Sequence, residues 1–304
     1  MMAPTLTMGI FLFSQILVGM IGNSSILLNY IILKFTRKHL LSKDLIIEHL
    51  TFAIFLSIIS RGTPETRAAC GFKDILDDIG CKLINYIYRI TRGMFLYAIF
   101  LLSCFQAITI SPGNSRQMII KHKATKYICH SCSVGWLLHL FVSVLTPARV
   151  SDLGNNKNVS MRISYEYCSW FASGNVGTAL NMLLLSFSDG LCLGLMASSS
   201  TYMVSLLYRH KRKVKHIHVS QHFLNVSPEN KATQTILIVV CMFVTSYSFS
   251  SILIIFTTYS KYPMLWEVSV FIFLEICFPI LCPFVLIRNM KPSFPLLLAC
   301  FVKR

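Results

Sequence analysis

Seven apolar stretches, joined by short connections whose basic residues collect on alternate sides, constrain this chain more than any other feature. They run 8–33, 45–60, 86–110, 127–146, 178–207, 233–259 and 266–287. A bilayer core about 30 Å thick takes about 20 apolar residues of helix to cross. Backbone polar groups in lipid have to be satisfied internally, so stretches of this length select the helix. The expected fold is an all-α membrane protein: one domain over 1–304, a bundle of seven transmembrane helices with a short tail at 288–304. An odd number of crossings leaves the termini on opposite faces. That arrangement suits a device that receives on one side and reports on the other.

Composition agrees. Hydrophobic residues make up 54% of the chain and charged residues 13%, against roughly 25% charged in a soluble domain. A net charge of +16 could suggest nucleic acid, but its distribution argues for topology. Segments 34–43, 111–126, 208–232 and 288–304 hold 18 of the 28 Lys and Arg, whereas Glu65, Asp74, Asp77, Asp78, Asp152, Glu166 and Glu267 lie in the opposite connections. Basic loops stay cytoplasmic, which predicts an extracellular amino terminus and a cytoplasmic carboxyl terminus. The basic loops also suit contact with anionic lipid. No basic residue precedes the first stretch, which is too long for a cleavable signal and reads as an anchor helix retained in the protein.

Ionisable residues within the stretches are the candidates for chemistry, because their burial is costly and they turn toward the bundle interior or water. Glu48 and His49 lie in the second stretch, Arg89 and Arg92 in the third, Asp189 in the fifth and Glu275 in the seventh. Arg89 is expected to snorkel to the outer interface, and Arg92 to face a pocket and pair with Glu275. Tyr88 and Arg92, four residues apart, share one helix face. Their phenol and guanidinium can orient a small polar or anionic ligand, so Tyr88, Arg92 and Glu275 form the expected ligand site. Bonding between helices without ligand contact would use the same residues. In the first stretch, Gly22 permits close approach of a neighbouring backbone and Asn23 can bond across helices. Pro279 and Pro283 interrupt the backbone bonding of the seventh helix and are expected to act as hinges, the alternative being a static kink.

Cys70, Cys81 and Cys168 lie in exported connections, where disulfides persist; three pairings are open to them. Asn158-Val159-Ser160 is an acceptor sequon on the same side, so Asn158 is expected to be glycosylated. Cys300, in the tail, is a candidate for palmitoylation.

Cofactors and metals are not expected. Cys129 and Cys132 open an apolar helix without a second pair, and the histidines at 210, 216 and 218 have no carboxylate beside them. The absence of a His-Glu-x-x-His motif argues against a zinc protease, and an enzyme is not expected. No lysine lies in 266–287 to carry retinal. A small-solute transporter is the rival class, but no internal repeat marks one.

Several longer motifs resemble one family. LYRHKRKVKHIH at 207–218 and SPENKATQTIL at 227–237 resemble the third inner loop of vomeronasal type-1 receptors. LLSCFQAITISPGNSR, Leu101–Arg116, resembles that family's third-helix end, which replaces the Asp-Arg-Tyr motif of most rhodopsin-like receptors. NNKNVS at 155–160, LCLGLM at 191–196 and CFPILCPFVL at 277–286 resemble its glycosylated outer loop and its fifth and seventh helices. A bitter-taste-type receptor is the nearest alternative, and SPENKATQTIL favours the vomeronasal family.

The resemblance implies a rhodopsin-like, G-protein-coupled receptor of the plasma membrane. Such a receptor would bind a pheromone-like ligand, a small molecule or a peptide, from outside and activate a Gi/Go-type heterotrimeric G protein. It implies a Cys81–Cys168 disulfide. It also implies a G-protein face that would draw on Gln106, Arg116, Arg209, Lys211, Arg212, Lys213 and Lys231. Gln106 stands about where related receptors carry a switch arginine, and its neutral amide cannot form their ionic lock. The chain departs from the family pattern at Ser188, where a proline usually precedes the Asp, and at Ile54, where an Asn usually follows the Ala.

Overall fold

The computed structural model describes residues 2–36, 42–69, 76–111, 115–151, 162–164, 168–171, 176–217, 228–259 and 265–287. It contains seven long helices: α1 (Met2–Thr36), α2 (Ser42–Ala69), α3 (Asp78–Ile110), α4 (Ser115–Val142), α5 (Val176–Ile217), α6 (Pro228–Tyr259) and α7 (Leu265–Ile287). Between α4 and α5, a 3-10 turn at Thr146–Arg149 leads into three short strands: β1 (Val150–Ser151), β2 (Arg162–Ser164) and β3 (Ser169–Phe171). They form an antiparallel sheet in the order β1-β3-β2, with Val150 and Ile163 both opposite Trp170. Among the described residues, Gly9–Phe35, Ser42–Pro64 and Asp78–Ile110 are long and apolar enough to cross a membrane; Thr233–Phe249 and Glu275–Ile287 are shorter apolar helices.

Most helices outrun their apolar stretches. Asp77 caps α3 by accepting a hydrogen bond from the Gly80 N–H at 2.9 Å, so the helix starts eight residues before Tyr86. Cys81 therefore lies inside the first turn of α3, not ahead of it. A side chain at Gly80 would crowd this cap, its Cβ standing 2.8 Å from the Asp77 carboxylate. α2 continues past Ser60 through Arg61 and Pro64. α4 starts earlier than its stretch and stops at Val142, with Pro147 following in the 3-10 turn. α6 opens on Pro228, a position where a missing N–H costs nothing. α5 carries the basic run Arg209–Lys213 on a helical extension.

α3 is the central rod, packing against α2, α4, α5 and α6, while α1 packs against α2 and α7. Ile46, Leu50, Ile54 and Ile58, one helical turn apart along α2, are almost fully buried beside Met94, Leu96, Ile99 and Leu102 of α3. Ile10, Phe13, Ile21, Phe141, Leu183 and Phe187 stay exposed, as lipid-facing side chains do. Lipid tails are as apolar as leucine, so close packing and polar contacts between helices hold such a bundle together.

Two interfaces show how. Gly22 of α1 admits the Pro283 ring of α7, which an added Cβ would meet at 3.0 Å. Pro283 has no N–H to offer the carbonyl four residues back, which is Pro279. Asn23 of α1 donates to that carbonyl at 3.2 Å, and to Gly19 O at 2.8 Å. On the other side of the bundle, Gly93 of α3 receives the imidazole of His139 from α4. Gly135 of α4 in turn receives the Tyr97 ring from α3, and an added Cβ at these glycines would lie 2.3 and 2.6 Å from those rings.

Candidate functional site

Six ionisable or phenolic side chains from five helices meet in two groups that share α3. In the first, Tyr88 of α3 donates its hydroxyl to Glu275 Oε1 of α7. Arg61 of α2 holds its Nε 3.5 Å from Glu275 Oε2, with its guanidinium over the Tyr88 ring at 5.5 Å. In the second, Arg92 of α3 lies 3.6 Å from Asp189 Oδ2 of α5. Tyr247 of α6 donates to the same oxygen at 3.4 Å, and the Arg92 guanidinium sits over the Tyr247 ring at 5.4 Å. Each group thus combines one cation, one carboxylate and one phenol.

Charge placement explains the arrangement. A lone charge in a low-dielectric interior is expensive, and an opposite charge with hydrogen bonds offsets that cost. A guanidinium over a phenol ring gains a further cation–π attraction, larger when desolvated. Arg61 is the more enclosed cation, its side chain 6% exposed against 23% for Arg92. The two groups rest on an aromatic floor. Phe95 of α3, Phe243 of α6 and Phe278 of α7 are buried, with ring centroids 5.0 to 6.0 Å apart. The Phe243 ring also meets the Tyr247 ring at 5.8 Å. Phe95 and Phe278 each follow a polar residue, Arg92 and Glu275, by three positions, which is why floor and polar layer align.

The expected ligand residues Tyr88, Arg92 and Glu275 therefore gather in one region. The pairing expected for Arg92 changes, because Arg92 engages Asp189, and the cation beside Glu275 is Arg61. Arg89, expected to snorkel, is partly buried. Arg61 and Tyr247 escaped the sequence reading. Arg61 follows an apolar run and looks like a membrane boundary, although the helix runs eight residues beyond it. Tyr247, among Thr, Ser and Phe, carries no pattern that marks it.

At the end of the bundle remote from Cys81, Gln106 is 5% exposed and donates from Nε2 to Thr233 Oγ1 of α6 at 3.0 Å. One turn on, the hydroxyls of Ser111 and Tyr202 of α5 lie 3.0 Å apart. Arg209 is exposed on α5. Arg116 lies in the first turn of α4, Lys211, Arg212 and Lys213 in α5, and Lys231 in α6, their side chains outside the described residues. Asn158, Cys70 and Cys300 also lie outside the described residues. Pro279 and Pro283 sit within the unbroken α7. Cys81 and Cys168 form a disulfide, with Cα atoms 5.9 Å apart, that fixes the start of β3 to the first turn of α3. Among the described residues no group of three or more His, Cys, Asp or Glu could hold a metal ion.

Comparison with known proteins agrees with this architecture. Squid rhodopsin superposes with a TM-score of 0.72 at 14% identity, over 99% of this chain and 83% of its own. Human vomeronasal type-1 receptor 4 is 40% identical over 273 residues, covering 90% of this chain and 91% of the relative. Human vomeronasal type-1 receptor 3 is 40% identical over 299 residues, 97% and 94% of the two chains. Zebrafish (Danio rerio) olfactory receptor class A-like protein 1 is 26% identical over 89% of this chain and 85% of its own. The sequence profile of the vomeronasal organ pheromone receptor family matches residues 6–296. With a profile match across almost the whole chain and relatives at this identity, the protein belongs to the vomeronasal organ pheromone receptor family.

Proposed function

We propose that this multi-pass plasma-membrane receptor, a non-enzymatic chemosensory protein of the G-protein-coupled class, binds a pheromone-like ligand beside its two polar groups. In this reading it signals through a Gi/Go-type heterotrimer. The observation that carries it is the meeting of Arg61, Tyr88 and Glu275 with Arg92, Asp189 and Tyr247 around α3. These groups place α2, α3, α5, α6 and α7 under one set of polar contacts. A ligand whose polar group competes for Arg92 or Glu275 would change the balance among those helices. It can shift a two-state equilibrium only by its differential affinity for the states, about 5.5 kcal/mol for a change from 1:99 to 99:1. The aromatic floor offers the apolar counterpart for the rest of the ligand.

The disulfide supports an extracellular position for the connections before α3 and before α5, since such bonds persist in oxidising compartments. In this reading, with seven crossings, the amino terminus is extracellular and the basic ends of α5 and α6 face the G protein. Arg116 of α4, Arg209, Lys211, Arg212 and Lys213 of α5 and Lys231 of α6 are the basic residues this reading assigns to that contact.

Expression of the full chain with a Gi-type G protein, followed by a screen of urinary and glandular fractions, tests the reading. Ligand-dependent nucleotide exchange is expected, lost in Arg92→Gln and in a variant with Lys211, Arg212 and Lys213 neutralised. Solute flux in sealed vesicles without nucleotide exchange would overturn it in favour of transport.

A further inference from the structure

Two polar atoms buried between α3 and α4 lack the hydrogen bonds that burial demands. His139 of α4 is 3% exposed, and Ser143, just past the last residue of that helix, is 1% exposed. Among the described residues, nothing bonds to His139 Nε2 or to Ser143 Oγ. The Ser143 N–H donates to the His139 carbonyl at 3.1 Å, which continues the helical turn and sets both side chains on one face. The imidazole reaches its place because Gly93 of α3 has no side chain, and the Tyr97 ring lies 6.3 Å from it between centroids. Gly93 directly follows Arg92 in the chain. Asp189, the carboxylate beside Arg92, also acts on the imidazole through its charge. The pair therefore borders the Arg92–Asp189–Tyr247 group on its α4 side. Nearly all buried polar groups in proteins find a partner. Two unsatisfied ones a single turn apart mark a place for something that bonds to both.

We propose that His139 and Ser143 form a subsite of the ligand pocket that takes an uncharged oxygen, the hydroxyl or carbonyl of a small organic ligand. The chemistry selects that class. A carboxylate placed here would face the Asp189 carboxylate. An ammonium would face Arg92, and would find Asp189 already held by Arg92 and Tyr247. An alkyl group would leave both buried atoms unsatisfied, at the cost of their desolvation. A hydroxyl or carbonyl brings no net charge, and both imidazole and serine can donate to its oxygen. The subsite rests on the receptor reading and deepens it, by naming the chemical group that the receptor selects beside Arg92.

The test uses the purified full chain in lipid nanodiscs and five probes on one carbon skeleton. Cyclohexylmethanol and cyclohexyl methyl ketone carry the neutral oxygen. Cyclohexanecarboxylate is the anion, cyclohexylmethylamine the cation and methylcyclohexane the apolar control. Binding is titrated by ligand-observed NMR, and the ring nitrogens of 15N-labelled histidine are followed in parallel, with His139→Phe identifying the His139 signal. The alcohol and the ketone are expected to bind about tenfold more tightly than methylcyclohexane and than either charged probe, and to shift the His139 signal. His139→Phe and Ser143→Ala should each erase most of that preference. His139→Gln and Ser143→Thr, which keep a polar atom at each place, should retain it. Equal binding of the alcohol and methylcyclohexane would overturn the subsite, as would a preference untouched by both His139→Phe and Ser143→Ala. A His139 signal that no probe moves would leave the pair holding water only and would overturn it too. Nucleotide exchange on a Gi-type G protein is read in the same samples. Selective binding with no exchange evoked by any probe or urinary fraction refutes the signalling reading and supports the subsite. Exchange evoked by urinary fractions without selective binding refutes the subsite alone.

Discussion

Arg92 meets a carboxylate and a phenol ring at once, and its partner defines how the polar layer is wired. Arg92→Asp sets two carboxylates side by side, and Asp189→Arg sets two guanidiniums together. Each variant is expected to lose surface expression and to unfold earlier. The exchange Arg92→Asp with Asp189→Arg should recover a coupling of about 1–2 kcal/mol, measured by thermal unfolding in detergent. The exchange of Arg92 with Glu275, which the sequence alone suggests, should recover less. Equal recovery by both exchanges would contradict the pairing. Tyr88, Arg92, Asp189 and Glu275 were legible because an ionisable or phenolic group stands out in an apolar run. Their partners were not legible, because helical spacing fixes which residues share a face and says nothing of which face the next helix presents. Arg61 was hidden for another reason. A basic residue at the end of an apolar run has the same appearance whether the helix ends there or continues into a polar interior.

At the scale of the helix pair, α3 and α4 lock by reciprocal insertion, each supplying a ring to the other's glycine. Gly93→Ala would place a methyl group 2.3 Å from the His139 ring. Overpacking of this kind costs about 1–3 kcal/mol, seen as a lower unfolding temperature. Adding His139→Ala should restore much of the loss, since the obstruction is then gone; no recovery would mean that Gly93 is needed for another reason. Neither glycine was legible as a contact, because a glycine in an apolar stretch declares that space is scarce without saying who occupies it. Gly22 and Asn23 were readable as a close approach with a cross-helix bond, yet their partner, the Pro279 carbonyl freed by Pro283, emerges only when α1 and α7 are set together. Helix ends were misjudged for a uniform reason. Hydropathy marks where lipid stops, whereas caps such as Asp77 and prolines such as Pro147 mark where the helix starts or stops.

Over the whole molecule, the number and order of the helices were legible, since lipid leaves long apolar runs almost no alternative to the helix, whereas the rhodopsin-like architecture was legible only through the family resemblance. The small sheet between α4 and α5 was not, because two- and three-residue strands carry too little pattern. The disulfide spans 87 positions, and closing a loop of that length removes about 4–5 kcal/mol of chain entropy from the unfolded state in the loop-closure account. Cys168→Ser should therefore lower surface level and unfolding temperature, and Cys81→Ser with Cys168→Ser should be no worse than either alone. A double variant much worse than the singles would mean that the sulfurs act separately.

Since Cys81 sits in the first turn of α3, the three-stranded sheet is riveted to the rod that carries Tyr88 and Arg92 two and three turns further along. Sheet and polar layer thus hang from one mast, and a displacement of the sheet is carried by the same spar whose far part bears Gln106.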